Sequence, residues 1–307
     1  MNVLSLFDGI SCGMIALERA GIKVDRYYAS EIKDFAIKCS KEHYPNIIQI
    51  GDVTKVSYSD GILHTEVGDF LTDIDLVIGG SPCQDFSVAG SFAHKTERGI
   101  YGLEGDKSRL FYEYLRIKDE IKPKYFLLEN VKMKKNSKGL LDLYMGVVGL
   151  EINSKLVSYQ SRGRFYWTNI PNVTVPADRN ISFQDFKDTD ADRIAEATPN
   201  MTPSRIKMWN GGNGKSGLGT CVNITYSDKV GCLTRKQDRA PNAGMIQNGD
   251  WARYLTRREL ELAQTLPVGY CDCLTYNQVQ DVTGDGWTVD VIAHIFKNLK
   301  EEEKWQK

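Results

Sequence analysis

Over the first 150 residues, short apolar runs that close on polar residues or glycine alternate with stretches of helical period. Val3 to Phe7 predicts a strand opening into the turn Asp8-Gly9-Ile10-Ser11-Cys12-Gly13. Ser11 is placed to cap a helix over Met14 to Ala20, and Gly21 to end it. Val24 to Ser30 predicts a second strand closing on Glu31, and Asp34 to His43 a helix that Pro45 stops. Ile47 to Ile50 predicts a third strand closing on Gly51-Asp52, and Ile74 to Ile78 a buried one. Ser108 to Glu120 reads as an amphipathic helix with Leu110, Phe111, Tyr114, Leu115 and Ile117 on a broad apolar face, broken by Pro123. Tyr125 to Leu128 predicts another buried strand, closing on Glu129-Asn130. Such alternation predicts an α/β fold, a mostly parallel sheet with helices on both faces.

From Pro171 to Trp251 the pattern changes: prolines, glycines and asparagines crowd in, most densely over Asn210 to Gly217. This reads as a loop-rich insertion without a second hydrophobic core. Helical texture returns over Thr256 to Gln264 and over Thr288 to Leu299, before a charged tail. The expected organisation is one domain over 1–169 and 252–300, an insertion over 170–251 and a tail over 301–307.

The composition, 41% hydrophobic and 26% charged over 307 residues, suits an ordinary soluble core. No apolar run reaches the ~18 residues of a membrane span, and the N-terminus reads as a first strand, not a signal peptide. Seven cysteines without framework spacing suit reduced thiols in a cytoplasm, and no metal site is expected. A net charge of −1 does not announce a nucleic-acid partner. Basic residues concentrate at Lys132 to Lys138, at Lys229 to Arg239 and at Arg253 to Arg258; each group alone reads as a solvated face.

The candidate chemistry centres on Gly79-Gly80-Ser81-Pro82-Cys83-Gln84-Asp85-Phe86-Ser87, which follows the Ile74 strand and opens a long glycine-rich stretch. A thiol at the carboxyl end of a strand in an α/β sheet stands where such folds bind ligands. Asp8, Glu31 and Asp52 end or follow successive strands, and a carboxylate at the end of the second can accept ribose hydroxyls. The turn after the first strand is not G-x-G-x-x-G. That disfavours a dinucleotide, and with it a nicotinamide dehydrogenase, and fits an adenosyl ligand. Glu129 ends a strand at the same sheet edge as Cys83, making a nucleophile and acid–base pair. Arg162 and Arg164, two apart in an extended segment, point the same way and could orient an anion or a base carbonyl, or form structural salt bridges.

In this order, Phe7-Asp8-Gly9, Gly80-Ser81-Pro82-Cys83-Gln84, Glu129-Asn130-Val131, Gln160-x-Arg162-x-Arg164, Arg253-x-Leu255-Thr256-x-x-Glu259 and Gly284-Asp285-Gly286-Trp287 resemble the motifs of the DNA cytosine-5 methyltransferase family. The wording is nearest the animal de novo branch, without its chromatin-reading domains, as in a stand-alone bacterial or phage enzyme. The resemblance implies a class I, Rossmann-like methyltransferase fold with a small target-recognition insertion. It implies S-adenosyl-L-methionine as cofactor, held by Phe7, Asp8, Gly9, Cys12, Gly13, Glu31, Ile32, Asp52, Val53, Gly80, Pro82, Leu110, Asp285, Gly286 and Trp287. Cys83, Glu129, Arg162 and Arg164 become the catalytic residues. Gln84, Ser87, Arg235, Lys236 and Arg239 become contacts to double-stranded DNA, with base readout around Gly231 to Arg239. The closing motif departs from the common Gly-Asn-Ser, and Asp285 would bring a carboxylate near the cofactor's amino-acid end. The expected setting is the cytoplasm of a bacterial or phage-infected cell, as a monomer or a homodimer, in a role such as restriction-modification. Two alternatives stand beside this reading. A tRNA cytosine-5 methyltransferase would carry Cys-Phe-Thr, which this chain lacks. An inactive DNA-binding regulator would have lost the Cys or the Glu, and both are present.

Overall fold

The computed structural model describes residues 1–81, 109–210, 222–238 and 242–299. They form two compact units. The first holds Met1–Ile152, Gly163–Val175 and the chain from Ala293; the second holds Asn153–Arg162 and Pro176–Ile292. These are units of packing. The expected division into a catalytic domain and a recognition insertion is one of function, not of packing.

In the first unit, β1 (Asn2–Leu6), α1 (Cys12–Ala20), β2 (Arg26–Ser30), α2 (Asp34–His43) and β3 (Ile48–Gln49) come first. Three short strands follow, β4 (Ser57–Ser59), β5 (Ile62–Thr65) and β6 (Gly68–Leu71). Then come β7 (Leu76–Gly80), α3 (Arg109–Ile121), β8 (Tyr125–Val131), α4 (Lys135–Met145), β9 (Leu150–Asn153) and β10 (Gly163–Thr168). The central sheet has the order β3-β2-β1-β7-β8-β10-β9. β1 pairs in parallel with β2 and β7, β2 with β3, and β7 with β8, while β10 runs antiparallel to β8. From β1 the chain steps through α1 to one side of the sheet, and from β7 it steps to the other side. Right-handed crossovers in opposite directions put their helices on opposite faces. Both faces are therefore covered, and Val3, Leu4, Leu6, Val77, Ile78, Leu127 and Leu128 are fully buried in apolar strands.

The expected strands and helices are present, most shifted by a residue or two. In the first unit several features differ from expectation. The Ser11 side chain does not cap α1: its backbone is left-handed, and its hydroxyl donates to Asp8 Oδ2 at 2.6 Å. Ser57–Leu71 forms an antiparallel β4-β5-β6 sheet that no reading anticipated. Its first turn is Asp60-Gly61, both at positive φ, the geometry a two-residue hairpin requires. The helix α4 was also unforeseen.

The second unit contains α5 (Ala191–Ala197), α6 (Pro203–Trp209), β11 (Ile246–Asn248), β12 (Trp251–Arg253), α7 (Arg257–Ala263) and α8 (Tyr276–Asp285); its boundary falls within α9 (Val289–Phe296). The 171–251 stretch was expected to lack a hydrophobic core. Instead Met208, Met245, Trp251, Ala252 and Tyr254 pack together, with Ile206 and Trp209 against them. Both α7 and α8 begin with a reciprocal capping box, Thr256 with Glu259 and Thr275 with Gln278.

Candidate active site

Strand order reverses between β1 and β7, so the crevice outside their carboxyl ends is where this class of sheet accepts a ligand. The turn after β1 is built from uncommon backbone: Phe7, Gly9 and Ser11 have φ of 59°, 63° and 60°. Such strain concentrates at functional sites. Asp8 holds this turn from inside. Its N–H donates to Ser30 O at 3.0 Å, and its carboxylate accepts from Ser11 and from the Tyr27 hydroxyl at 2.7 Å. Burial pushes the Asp8 carboxyl above its ordinary range against these bonds, and it pushes the Tyr27 phenol well up. Asp8 is thus engaged inside the protein. Cys12 and Gly13 are buried in the first turn of α1.

Glu31 faces this turn from the end of β2. Its Oε2 accepts from Gly9 N at 2.8 Å, and its Oε1 from Ile32 N at 2.8 Å and Lys33 N at 2.9 Å. A Cβ at Gly9 would meet nothing within 4 Å, so the backbone there borders open space. Beside it Ile32 is 71% exposed, an apolar side chain without cover. Asp52, after β3, accepts from Thr54 N through Oδ1 and starts a short helical turn at the buried Val53. A glycine turn bordering open space, a carboxylate at the second strand's end and an uncovered aliphatic side chain fit an adenosine with free ribose hydroxyls.

The second half of the site lies on β7, β8 and β10. Gly80 pairs with Glu129 across β7 and β8, and Tyr166 pairs with Glu129 across β8 and β10. Glu129 therefore stands one strand from Gly80, two residues before Pro82 in the chain. Its Oε1 lies 3.0 Å from Arg164 Nε, both side chains almost wholly buried. The next residue, Asn130, donates to the Ser81 hydroxyl at 3.1 Å and accepts from Val131 N at 2.8 Å. This ties the end of β8 to the last described residue before Pro82. A Cβ at Gly79 would lie 2.9 Å from the Tyr114 ring and 3.1 Å from Leu6 O, so β7 requires glycine where α3 crosses it. Leu110, in the first turn of α3, packs against the core. Pro82, Cys83, Gln84, Ser87 and Arg239 lie outside the described residues.

Arg162 and Arg164 do not share a target, contrary to the expectation from their spacing. β10 begins at Gly163, and Arg162 is buried in the second unit. Its guanidinium donates to Leu233 O at 3.1 Å and to Gly284 O and Gly286 O at 3.0 Å each. The preceding Gln160 is wholly buried, donating to Ala263 O and accepting from Leu233 N. Asp285, Gly286 and Trp287 also belong to the second unit. Asp285 lies 3.4 Å from Arg235 Nε, and Arg235 donates to Asp281 Oδ2 at 2.6 and 2.8 Å. The arginine expected at base edges is engaged by two carboxylates, while Lys236 is exposed.

Lys132, Lys134 and Lys135 are exposed, as expected of a solvated face, but the other two basic groups are not plain solvated faces. Lys229 donates to three backbone carbonyls, those of Lys155, Ser158 and Ile181. Arg253 forms a buried two-pronged pair with Glu259 at 2.7 and 2.9 Å. Glu259 also accepts from Asp188 N, and Asp188 in turn accepts from Thr256 Oγ1 at 2.8 Å and pairs with Arg193 at 2.7 Å. Burial, the largest influence on Asp188, raises its pKa, but the bonds from Arg193, Asp190 N and Thr256 together hold it well below the carboxylate range. Asn130 was named in the sequence only as part of Glu129-Asn130-Val131, without a role, and Asp188 was not singled out. Asn130 was legible as the polar residue closing a buried strand; Asp188 depends on a long-range pairing that spacing does not disclose.

Residues 1–144 match the family of C-5 cytosine-specific DNA methylases. The orphan methyltransferase M.SPRI of Bacillus phage SPR is 32% identical over 179 residues, covering 54% of this chain and 37% of that protein. The type II methyltransferase M1.ScrFI of Lactococcus lactis subsp. cremoris is 36% identical over 139 residues, 45% of this chain and 31% of that protein. The chain thus spans about a third of the length of these curated relatives. Among solved structures, the Entamoeba histolytica methyltransferase EhMeth superimposes with a TM-score of 0.72 at 16% identity, covering 99% of this chain and 98% of that one. The S. pombe Dnmt2 methyltransferase gives 0.67 at 15% identity, covering 99% of each chain. The fold is accordingly that of the class I methyltransferases.

Proposed function

With residues 1–144 matching the C-5 cytosine-specific DNA methylase family, we propose that the chain transfers a methyl group from S-adenosyl-L-methionine to carbon 5 of a cytosine flipped out of double-stranded DNA. The observation that carries this is the Glu129–Arg164 pair set one strand from Gly80, three residues before Cys83 in the chain. We assign the catalytic and cofactor-binding part to 1–169 and 252–300 and DNA reading to 170–251, acting in the cytoplasm of a bacterial or phage-infected cell.

Cytosine carbon 5 is a weak nucleophile and is inaccessible in the base stack; flipping gives access. The Cys83 thiolate adds to carbon 6, forming a C–S bond and moving electron density to carbon 5 and the N3 edge. Glu129 meets that edge with a hydrogen bond or proton, stabilising the adduct. Arg164, held by Glu129, is assigned to the base O2. Arg162 acts at one remove, fastening the backbone at Leu233, Gly284 and Gly286. Carbon 5 then takes the methyl group, a base removes its proton, and the thiolate leaves as the C–S bond breaks.

The cofactor supplies the methyl group as a sulfonium. Glu31 is assigned to its ribose hydroxyls, Ile32 to the adenine face, Asp52 and Val53 to the adenine edge and the Phe7-Asp8-Gly9 turn to the near backbone. Bisulfite sequencing of DNA from a methylation-free host expressing the gene tests the reading. Protected cytosines in a defined sequence context support it, and uniformly converted DNA rejects it.

A further inference from the structure

Resting on the DNA-reading role proposed for residues 170–251, we infer that Arg235 is a positioning residue that locks the 233–238 segment onto α8, and that Lys236 is the cation this segment presents to the DNA backbone.

The segment is held at every second residue. Leu233 donates its N–H to Gln160 Oε1 at 2.9 Å, and its carbonyl accepts from Arg162 at 3.1 Å. Arg235 places Nε and Nη2 on Asp281 Oδ2, with Asp285 Oδ2 3.4 Å from Nε. Asp281 and Asp285 are four residues apart on α8, so their carboxylates share one face of the helix. Gln237 is wholly buried; its N–H donates to Gln280 Oε1 at 3.0 Å and its amide to Thr234 O at 3.0 Å. The α8 backbone itself lies against the segment. A Cβ at Gly284 would stand 2.4 Å from both Arg235 N and Thr234 C, closer than any side chain allows.

Leu233 and Gln237 are buried, and Arg235, Lys236 and Asp238 are exposed; of the two cations, Arg235 is the one tied to carboxylates of α8. For Arg235 to read a base it would have to give up its two hydrogen bonds to Asp281 and its place beside Asp285. Lys236 makes no ion pair among the described residues and is free to meet a phosphate, the group to which lysine is suited as a point charge.

The two roles give opposite signs for Asp281. If Arg235 touches DNA, Asp281 competes for it, and Asp281→Asn releases the arginine and tightens binding. If Arg235 positions the segment, Asp281→Asn does the same damage as Arg235→Ala. The experiment measures duplex binding against salt, and methylation-site preference on a random-sequence library, for the wild type, Arg235→Ala, Asp281→Asn, the double variant and Lys236→Ala, with thermal melting to show that each is folded. We expect Arg235→Ala and Asp281→Asn to relax site preference alike, the double variant to fall within about twofold of either single, and the salt slope to hold. Lys236→Ala should keep site preference and lower the slope by about one. If Asp281→Asn does not fold, Arg235→Lys decides: positioning predicts preference relaxed across the site, a phosphate contact predicts no change, and a base contact predicts a change at one position only. Tighter binding by Asp281→Asn, or an Arg235→Ala slope lowered by about one, overturns the inference alone. A wild type that leaves no 5-methylcytosine overturns the methyltransferase reading and this inference with it.

Discussion

Asn130 donates its amide to the Ser81 hydroxyl at 3.1 Å, fastening the residue after Glu129 to the residue before Pro82. Both are buried. With Cys83 proposed as the nucleophile, this bond fixes Ser81, two residues before it, relative to Glu129. Asn130→Ala is expected to lower kcat by tenfold or more, about 1.4 kcal/mol, with little change in S-adenosylhomocysteine affinity. Steady-state kinetics with calorimetry on the same variant checks this. Equal losses in both would return Asn130 to a general folding role.

Glu31 is predicted to act on the cofactor. A carboxylate accepting ribose hydroxyls contributes about 1.5–3 kcal/mol per charge-assisted bond, so Glu31→Ala should weaken S-adenosylhomocysteine binding at least tenfold while leaving DNA binding nearly unchanged. Part of the loss comes from freeing Gly9 N, which Glu31 anchors. Gly9→Ala separates the two contributions: the left-handed backbone costs about 1–2 kcal/mol of stability, and a Cβ in the space beside the turn obstructs the ligand further. Calorimetry and melting curves on both variants measure this, and an unchanged dissociation constant in both would exclude this turn as the adenosyl site.

Asp188 predicts a pH dependence of stability. Its folded pKa is depressed below 3.8, so its contribution is present above the unfolded value and is lost as pH falls below about 3.8 toward the folded one. Asp188→Asn is expected to destabilise the chain by about 1–3 kcal/mol at pH 7. The difference from the wild type should shrink on acidification below about pH 4. Melting temperatures of the two proteins between pH 7 and pH 2 test this; a constant difference would contradict the pairing with Arg193 and Thr256.

How far the sequence could be read follows from the range of each interaction. The β1, β2, β7 and β8 strands were legible because each is a short apolar run closed by glycine or an acid, and the positions of Glu31 and Glu129 follow from those endings. Ser11 was misread: Ser before a helix usually caps it, but here Asp8, three residues back, claims the hydroxyl and the backbone turns left-handed. The β4-β5-β6 sheet carried a readable signal, Asp60-Gly61, in a stretch whose apolar residues do not alternate. Arg162 and Arg164 share spacing, and strand period suggested a shared direction; only the start of β10 at Gly163 separates them. The engagement of Arg235 by Asp281 and Asp285 crosses 46 and 50 residues, a pairing that no local pattern encodes.

The central claim is that Cys83 attacks a cytosine in DNA. It is tested most directly by incubating the protein with duplex DNA containing 5-fluorocytosine at its methylation site, in the presence of S-adenosylmethionine. The fluorine cannot leave as a proton does, so the carbon 6 adduct should persist. The account predicts a protein–DNA species that survives denaturing electrophoresis for the wild type and is absent for Cys83→Ala, which should still bind the duplex. An adduct formed by Cys83→Ala, or methyl transfer by that variant at the wild-type rate, would contradict it.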